Sequence, residues 1–351
     1  MIAFLFYLPF LLGFVVLGVY GERKISAFIQ SRVGPMEVGP IGLLQTVADL
    51  LKMLQKEHIV PLKADRPLFI WAPLVVFGSI FTGYALLPLT DLEAGSGIQT
   101  GIIFLLAFVS LDVLGILMAG WGSNNKFSLY GAIRSAAQVI SYEIPLGLSI
   151  LCVIMVCQSV DLQEIVLQQG TGMENHLFGI AATGVDTSEV GGFLNWNLFR
   201  VPLLIPVFLI FFIAGMAEAN RSPFDLPESE SEIIGGYHTE YSGFQFGIFM
   251  LAEYGMMLLI SFLAAILFLG GWQTPLPNMG SFALAEWTTG TYWGVFWLVT
   301  KATFFVLVQM WIRWTLPRLR VDQLMSLSWK YLTPASLILV FLIAMWRLWI
   351  M

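Results

Sequence analysis

Acidic side chains are concentrated where an apolar run of this chain ends. The stretch AEANRSPFDLPESESEIIGGYHTEYSG, residues 217–243, directly follows the apolar run PLLIPVFLIFFIAGM. It contains Glu218, Asp225, Glu228, Glu230, Glu232 and Glu240, and Glu253 follows in the next apolar run. Carboxyl groups that are close together in an apolar environment can bind and release protons near neutral pH. The pattern therefore indicates proton transfer.

Charged residues also interrupt the apolar runs themselves. Asp112, Glu143, Glu218, Glu253 and Lys301 lie in or at the end of five different runs. A charge inside a bilayer costs a few kcal/mol or more, and any one of these residues, Asp112 in particular, could serve a structural role. Five together favour a proton route with a lysine that modulates it.

Glu218 has a special position among these acids because it stands at the boundary between an apolar run and the acidic stretch. We expect it to pass protons between the two groups of acids. If the helix continued beyond it, Arg221 would lie one turn away and could pair with it.

The elements that must position these residues are predicted to be membrane-spanning helices. Hydrophobic residues make up 58% of the 351 residues and charged residues 11%, whereas soluble domains carry roughly 25% charge. A span needs about 20 apolar residues. Eight such stretches occur, near 1–20, 68–90, 98–121, 137–157, 201–219, 244–270, 291–312 and 333–350. The sequence predicts an all-α integral membrane protein with one polytopic domain over 1–351.

The basic residues predict the orientation of the spans. Fourteen Lys and Arg residues fall in the connections after spans 1, 3, 5 and 7, and only Arg200 and Arg347 fall on the other side. Because basic connections stay in the cytoplasm, we expect both termini on the external side of the membrane and the acidic stretch on the cytoplasmic side.

The connection after the first span contains an amphipathic helix near residues 42–57. Gln45, Asp49, Lys52 and Lys56 recur at helical spacing, and leucines fill the opposite side. The helix is too short to span a bilayer, so it is predicted to lie at the membrane interface or against a partner protein. Two Gly-Pro pairs precede it and separate it from the first span.

Motifs for a metal, haem or nucleotide are absent from the sequence. His58, His176 and His238 are scattered, and Cys152 and Cys157 lie in one apolar run at a spacing that does not align them on a helix face. We expect no metal and no nucleic acid to bind this chain.

Four stretches together resemble one known family. They are GERKISAFIQSRVGPMEVGPIGLLQTVADLLKMLQKE, GWGSNNKFSLYGAIRSAAQVISYEIPLG, the acidic stretch with the downstream FMLAEY, and IRWTLPRLRVDQLMSLSWKYLTP. The chain resembles the H subunits of bacterial respiratory complex I, the proton-pumping NADH:quinone oxidoreductase. It departs from that family at Ala219, Leu319 and Val321, and the 158–200 connection matches no family pattern.

The resemblance implies a quinone chamber on the cytoplasmic side, with quinone, either ubiquinone or menaquinone, as substrate. By this resemblance, the residues expected to line or shape the chamber are Glu22, Arg23, Arg32, Asp49, Arg221 and Phe224. Those carried over to a mobile coupling loop are Asp225, Glu228, Glu230 and Glu232, and Glu143, Glu218 and Glu253 would continue the proton path. The expected partners are the lipid bilayer, hydrophilic quinone-module subunits, small membrane subunits and antiporter-like subunits, with FMN and iron–sulfur clusters held by partner subunits.

Three other functions stay open at the level of the sequence. A homologous membrane subunit of a hydrogenase or of a ferredoxin-dependent complex is the nearest alternative. A stand-alone ion transporter is disfavoured because the two halves show no internal repeat. A passive membrane anchor is disfavoured by the acids on several spans.

Overall fold

Helices form almost all of the regular structure in a computed structural model that describes residues 2–90, 99–170, 190–226, 234–278 and 284–349. The α-helices are α1 (Ile2–Ile29), α2 (Gln45–Gln55), α3 (Arg66–Ala85), α4 (Gly101–Val109), α5 (Leu111–Gly122), α6 (Lys126–Cys157), α7 (Leu162–Leu167), α8 (Asn197–Arg200), α9 (Leu204–Glu218), α10 (Gly243–Phe268), α11 (Leu284–Trp287), α12 (Thr291–Thr315), α13 (Val321–Ser326) and α14 (Thr333–Trp349). A π-helical turn, Leu327–Leu332, joins α13 to α14. The predicted all-α fold class is confirmed.

Helical segments overlap all of the predicted spans. Among the described residues, six helical segments are long and apolar enough to cross a membrane: Arg66–Ala85, Gly101–Gly122, Lys126–Cys157, Gly243–Phe268, Thr291–Thr315 and Val321–Trp349. The predicted first span falls in α1, which has 28 residues. The predicted fifth span falls in α9, which has only 15 residues and a length of about 22 Å, less than a bilayer core of about 30 Å.

The helix boundaries differ from the predicted spans where capping decides them. Helix α6 begins eleven residues before the predicted span because the Asn125 side chain accepts a hydrogen bond from the Phe127 N–H and caps the helix. The third predicted span is divided between α4 and α5 at Ser110, whose hydroxyl donates to the Leu106 carbonyl. Hydrophobicity locates a span, and polar groups at its ends set its length.

The core of the molecule is α10, which packs against α1, α3, α9 and α12. Every residue from Tyr254 to Phe268 is buried. A helix that is apolar on all sides is stable only when other helices surround it. The acids of the neighbouring helices are thereby brought to the middle of the bundle.

A short 3₁₀ turn, Gly236–His238, precedes α10 and rests on α6. A methyl group added at Gly131 of α6 would lie 2.7 Å from the Gly236 Cα. Gly236 itself has a φ of 59°, a conformation that glycine adopts without strain. Glycine at both positions therefore lets the turn approach the helix at backbone contact.

The amphipathic helix is α2, and its two sides differ as predicted. On its polar side, Gln45 donates a hydrogen bond to Asp49, and Asp49 in turn accepts one from Arg23 of α1. The leucine side is exposed at Leu43, Val47, Leu50, Leu51 and Leu54. The exposure of these apolar side chains fits a helix that lies on lipid or on another protein.

Candidate functional site

Glu22 of α1 is the centre of a buried group of charged and polar side chains. Its Oε2 accepts a hydrogen bond from the Tyr254 hydroxyl at 2.5 Å and lies 3.4 Å from Nη1 of Arg221, and its Oε1 pairs with Arg313. The Arg221 guanidinium also lies over the Tyr254 ring, 4.1 Å from its centroid. We call Glu22, Arg221, Tyr254 and Arg313 the Glu22 cluster.

The Glu22 cluster connects four separate parts of the chain. Glu22 comes from α1, Arg221 from the segment after α9, Tyr254 from α10 and Arg313 from α12. One carboxylate faces two guanidinium groups, so its charged members carry a net charge of one positive unit. Of these four residues, Tyr254 and Arg313 were not singled out from the sequence, although both lie within stretches that carry the family resemblance.

Arg23 and Asp49 form a second, more exposed pair that joins α1 to α2. Their side chains are 2.6 Å apart and are 43% and 30% exposed. Gln45 donates a hydrogen bond to the other carboxylate oxygen of Asp49 at 3.1 Å. Arg32 follows α1 on the surface and bonds to the Gln30 side chain. Phe224, in contrast, is buried and makes a T-shaped contact with Tyr142. It can therefore influence the shape of a chamber by supporting other residues, without being exposed itself.

Acids from three helices line one small cavity in the bundle. Asp112 of α5, Glu218 of α9 and Glu253 of α10 lie around it, together with Tyr237 and Asn220. Oδ1 of Asp112 is buried and has no hydrogen-bond partner within the described residues. We call this group the acid cavity. Within those ranges, no group of three or more His, Cys, Asp and Glu side chains is arranged to hold a metal ion.

Glu143 of α6 lies near the acid cavity without lining it. It is close enough for its charge to act on both Glu218 and Asp112, and it is partly exposed on the surface of α6. Its Oε1 is buried and lacks a hydrogen-bond partner in the described part of the chain. Acids from four helices are therefore within electrostatic reach of one another.

The segment Ala219 to Leu226, here called the 219–226 loop, lies between the Glu22 cluster and the acid cavity. The amide of Gln138 on α6 donates to the carbonyls of Ala217 and Phe224 at 2.7 and 2.8 Å and contacts Asn220 Oδ1 at 3.2 Å. Asp225, which is 3% exposed, pairs with Arg318 at 3.0 Å. Glu228, Glu230 and Glu232 lie outside the described residues.

The helix does not continue beyond Glu218, so Arg221 does not lie one helical turn after it. Helix α9 ends at Glu218, and Asn220 takes a left-handed conformation with a φ of 50°, which asparagine tolerates better than most residues. The chain turns there and carries Arg221 to Glu22. Arg221 therefore belongs to the Glu22 cluster.

Lys301 is not part of the acid cavity, contrary to the prediction. Its Nζ donates to the carbonyls of Leu269, Gly271 and Gln273 at 2.6, 2.9 and 2.7 Å and lies over the Trp196 ring. Leu269 directly follows α10 and lies sixteen residues after Glu253, which corresponds to about 24 Å along the helix. Lys301 therefore satisfies backbone carbonyl groups of the segment that directly follows α10.

His238 is a further residue whose position the sequence did not indicate. Its Nε2 lies 3.2 Å from Glu253 Oε1, and the Tyr237 hydroxyl lies 3.5 Å from the same oxygen. The histidine belongs to a turn and the glutamate to the helix that follows, so no helical periodicity relates the two.

Comparison with known proteins decides the family. The sequence model of the NADH dehydrogenase family matches residues 2–344. The chain belongs to the NADH dehydrogenase family. This confirms the resemblance predicted from the four sequence stretches.

Similar proteins cover nearly the whole of the chain, and each is an H subunit of NADH-quinone oxidoreductase. The second such protein of Cytophaga hutchinsonii is 53% identical over 99% of each chain. The protein of Chlorobium luteolum is 52% identical over 95% of this chain and 85% of its own length. That of Brevibacillus brevis is 43% identical over 98% and 91%. The likeness therefore includes every helix that contributes to the Glu22 cluster and the acid cavity.

Proposed function

We propose that this chain is the membrane subunit of a proton-pumping NADH:quinone oxidoreductase that forms much of the quinone chamber and couples quinone reduction to proton translocation. The observation that carries the proposal is the 219–226 loop. It places Arg221 in the Glu22 cluster and Asn220 at the acid cavity. A change of charge or position in the Glu22 cluster can thus affect the acid cavity through the backbone of this loop.

Quinone as substrate is supported by the names of the similar proteins and by the charge of the Glu22 cluster. Reduction of a quinone to a quinol takes up two electrons and two protons, and electron arrival before protonation makes the head group negative. A fixed group with surplus positive charge stabilises such an anion, more strongly at low dielectric than in water. Arg23, Arg32, Asp49, Arg221 and Phe224 are proposed, with Glu22, as residues that line or shape the chamber.

The acid cavity supplies the proton route in this proposal. Glu253, Glu218 and Glu143 pass protons inward, and Asp225, Glu228, Glu230 and Glu232 are proposed as the acids of the coupling loop. When quinol formation removes negative charge from the chamber, the proton occupancy of nearby acids changes through Coulomb interactions. That change can bias the position of a loop, as charge changes do in other switches.

The electrons come from groups that other subunits hold, expected to be FMN and iron–sulfur clusters. The partners are hydrophilic quinone-module subunits on the cytoplasmic side and small and antiporter-like subunits in the membrane. The single polytopic domain lies in the bacterial plasma membrane with both termini external. The names of the similar proteins favour this enzyme over a hydrogenase, a ferredoxin-dependent complex, an ion transporter or a passive anchor.

Substitution of Glu218 tests the proposal. Glu218→Gln keeps the size of the side chain and cannot ionise, so quinone reduction and proton pumping should both fall by roughly tenfold or more in an assembled complex. Glu218→Asp should retain part of both activities. The measurement is inhibitor-sensitive NADH:quinone turnover with proton uptake into sealed vesicles, normalised to assembled complex.

The matched control is Glu37→Gln, because Glu37 is exposed on the connection after α1. It should behave like the wild type. Normal turnover together with normal pumping in Glu218→Gln would leave that residue with a purely structural role and contradict the proposed route.

A further inference from the structure

His238 is held in a rigid aromatic setting at the edge of the acid cavity. Its ring is tilted by 43° against that of Tyr237, with 3.8 Å between ring centroids, and makes T-shaped contacts with Phe249 and Phe246 at 5.0 and 5.7 Å. Only 4% of its side chain is exposed. The turn that carries it is fixed by backbone contact with α6 through Gly131. The ring contacts and the backbone contact together restrict the position of the imidazole.

The contact between His238 and Glu253 is a direct link to the acids of the cavity. Nε2 of His238 and Oε1 of Glu253 are 3.2 Å apart, which is within hydrogen-bond distance. Glu253 shares the cavity with Asp112 of α5 and Glu218 of α9, and the Tyr237 side chain also lines it. From α6, Ser128 donates a hydrogen bond to the Tyr237 carbonyl and Gly131 packs against Gly236, and both of these residues are uncharged.

Burial makes this pair suitable for proton exchange. In water an imidazolium and a carboxylate are strongly favoured over their neutral forms. Out of water the separated charges lose solvation, so the ion pair and the neutral pair become closer in free energy. A small change of charge on Asp112 or Glu218 can then move the shared proton from one partner to the other.

We propose that His238 is a proton-transfer residue that exchanges a proton with Glu253 and so extends the acid cavity toward the turn before α10. The imidazolium N–H bond at Nε2 breaks, and an O–H bond forms at Oε1 of Glu253, leaving a neutral imidazole and a neutral carboxylic acid. A proton from cytoplasmic water reloads the imidazole. This inference rests on the proposed function, because it requires the acid cavity to conduct protons.

Replacement of His238 by Asn or Gln tests this role, since each amide can still donate a hydrogen bond to Glu253 but neither can carry a proton. Turnover with quinone at neutral pH should fall roughly tenfold. The wild-type rate should decline as rising pH depletes the protonated imidazole that acts as the donor. Both variants should lose this decline and show a lower, flatter profile.

The matched control is His58→Asn, which makes the same change at an exposed histidine in the connection after α2 and should keep the wild-type rate and pH profile. Unchanged profiles in assembled His238 variants would overturn the inference while leaving the proposed function intact. Absence of inhibitor-sensitive quinone turnover in the wild-type complex would instead contradict the proposed function.

Should neither variant assemble, the wild-type complex provides the test. Redox-induced infrared difference spectra of complex with ring-labelled histidine should show a histidine that changes protonation when quinone is reduced, and His58→Asn should not remove that signal. Spectra without a histidine band would overturn the inference.

Discussion

Glu22 carries one negative charge between two guanidinium groups. Its replacement should therefore lower the stability of the protein and also slow quinone reduction. Glu22→Gln leaves Arg221 buried without this counter-charge, which should lower the stability of the fold by about 3 kcal/mol. The measurement is the thermal midpoint of the detergent-solubilised complex. Glu37→Gln removes an exposed carboxylate and should leave that midpoint unchanged. An equal midpoint in both variants would show that the Glu22 cluster does not hold the helices together.

Asp49 should affect quinone reduction with little effect on stability, because its pair with Arg23 is largely exposed and such pairs contribute about 1 kcal/mol or less. Asp49→Asn should slow quinone reduction and raise the apparent KM for quinone. NADH oxidation by a hydrophilic artificial acceptor should persist, since that acceptor takes electrons before they reach this chain.

Glu57→Gln is the matched control for Asp49→Asn, as Glu57 lies exposed just beyond α2. It should leave both activities unchanged. A parallel loss of both activities in Asp49→Asn would assign the residue to assembly of the complex and not to the chamber.

The types of the functional residues could be predicted from the sequence, but their partners could not. An acid in an apolar run stands out in the sequence, because the free-energy cost of placing it in a membrane indicates a function or a partner. The pairing of Glu22 with Arg313, which are 291 positions apart, leaves no periodic signal. Tyr254 and Arg313 could be found only once α1, α10 and α12 had been packed together.

At the scale of whole elements, the clearest prediction concerns the end of α10. Lys301→Met keeps an unbranched side chain and loses three hydrogen bonds to carbonyl oxygens, which should destabilise the protein by about 3 kcal/mol. Quinone turnover per assembled complex should stay near the wild-type value, because Lys301 lies far from Glu253. The measurements are the thermal midpoint and the turnover of the purified complex.

Lys330→Met is the matched control, since Lys330 is exposed on the π-helical turn and should change neither quantity. Loss of turnover without loss of stability in Lys301→Met would instead assign Lys301 to the modulation of proton transfer.

Helices were easier to predict than their ends and their roles. Runs of apolar residues locate α3, α6, α10 and α12 because burial of their side chains drives both insertion and packing. The side chain of Lys301 binds backbone carbonyls. Every residue has a backbone carbonyl, so the sequence does not show which of them a lysine will bind. Its role was therefore mistaken for that of the acids, which share its place in an apolar run.

The orientation of the whole molecule can be tested with two cysteine substitutions on either side of α3. Lys63→Cys should react with a membrane-impermeant thiol reagent only from the cytoplasmic side, and Gln99→Cys only from outside. Both positions are exposed, and the native Cys152 and Cys157 are buried, so background labelling should be low. Labelling with the sides reversed would contradict the proposed placement of the termini.

The contact between Gly131 and Gly236 sets a size limit on one position of the protein. Alanine has the smallest side chain after glycine, and even its methyl group would overlap the Gly236 Cα. Any replacement at Gly131 must displace the turn, and the turn carries Tyr237 and His238 with it. In a saturation screen of α6, tolerance at residue 131 would thus depend on the position of the Tyr237 and His238 rings relative to Glu253 as well as on helix propensity.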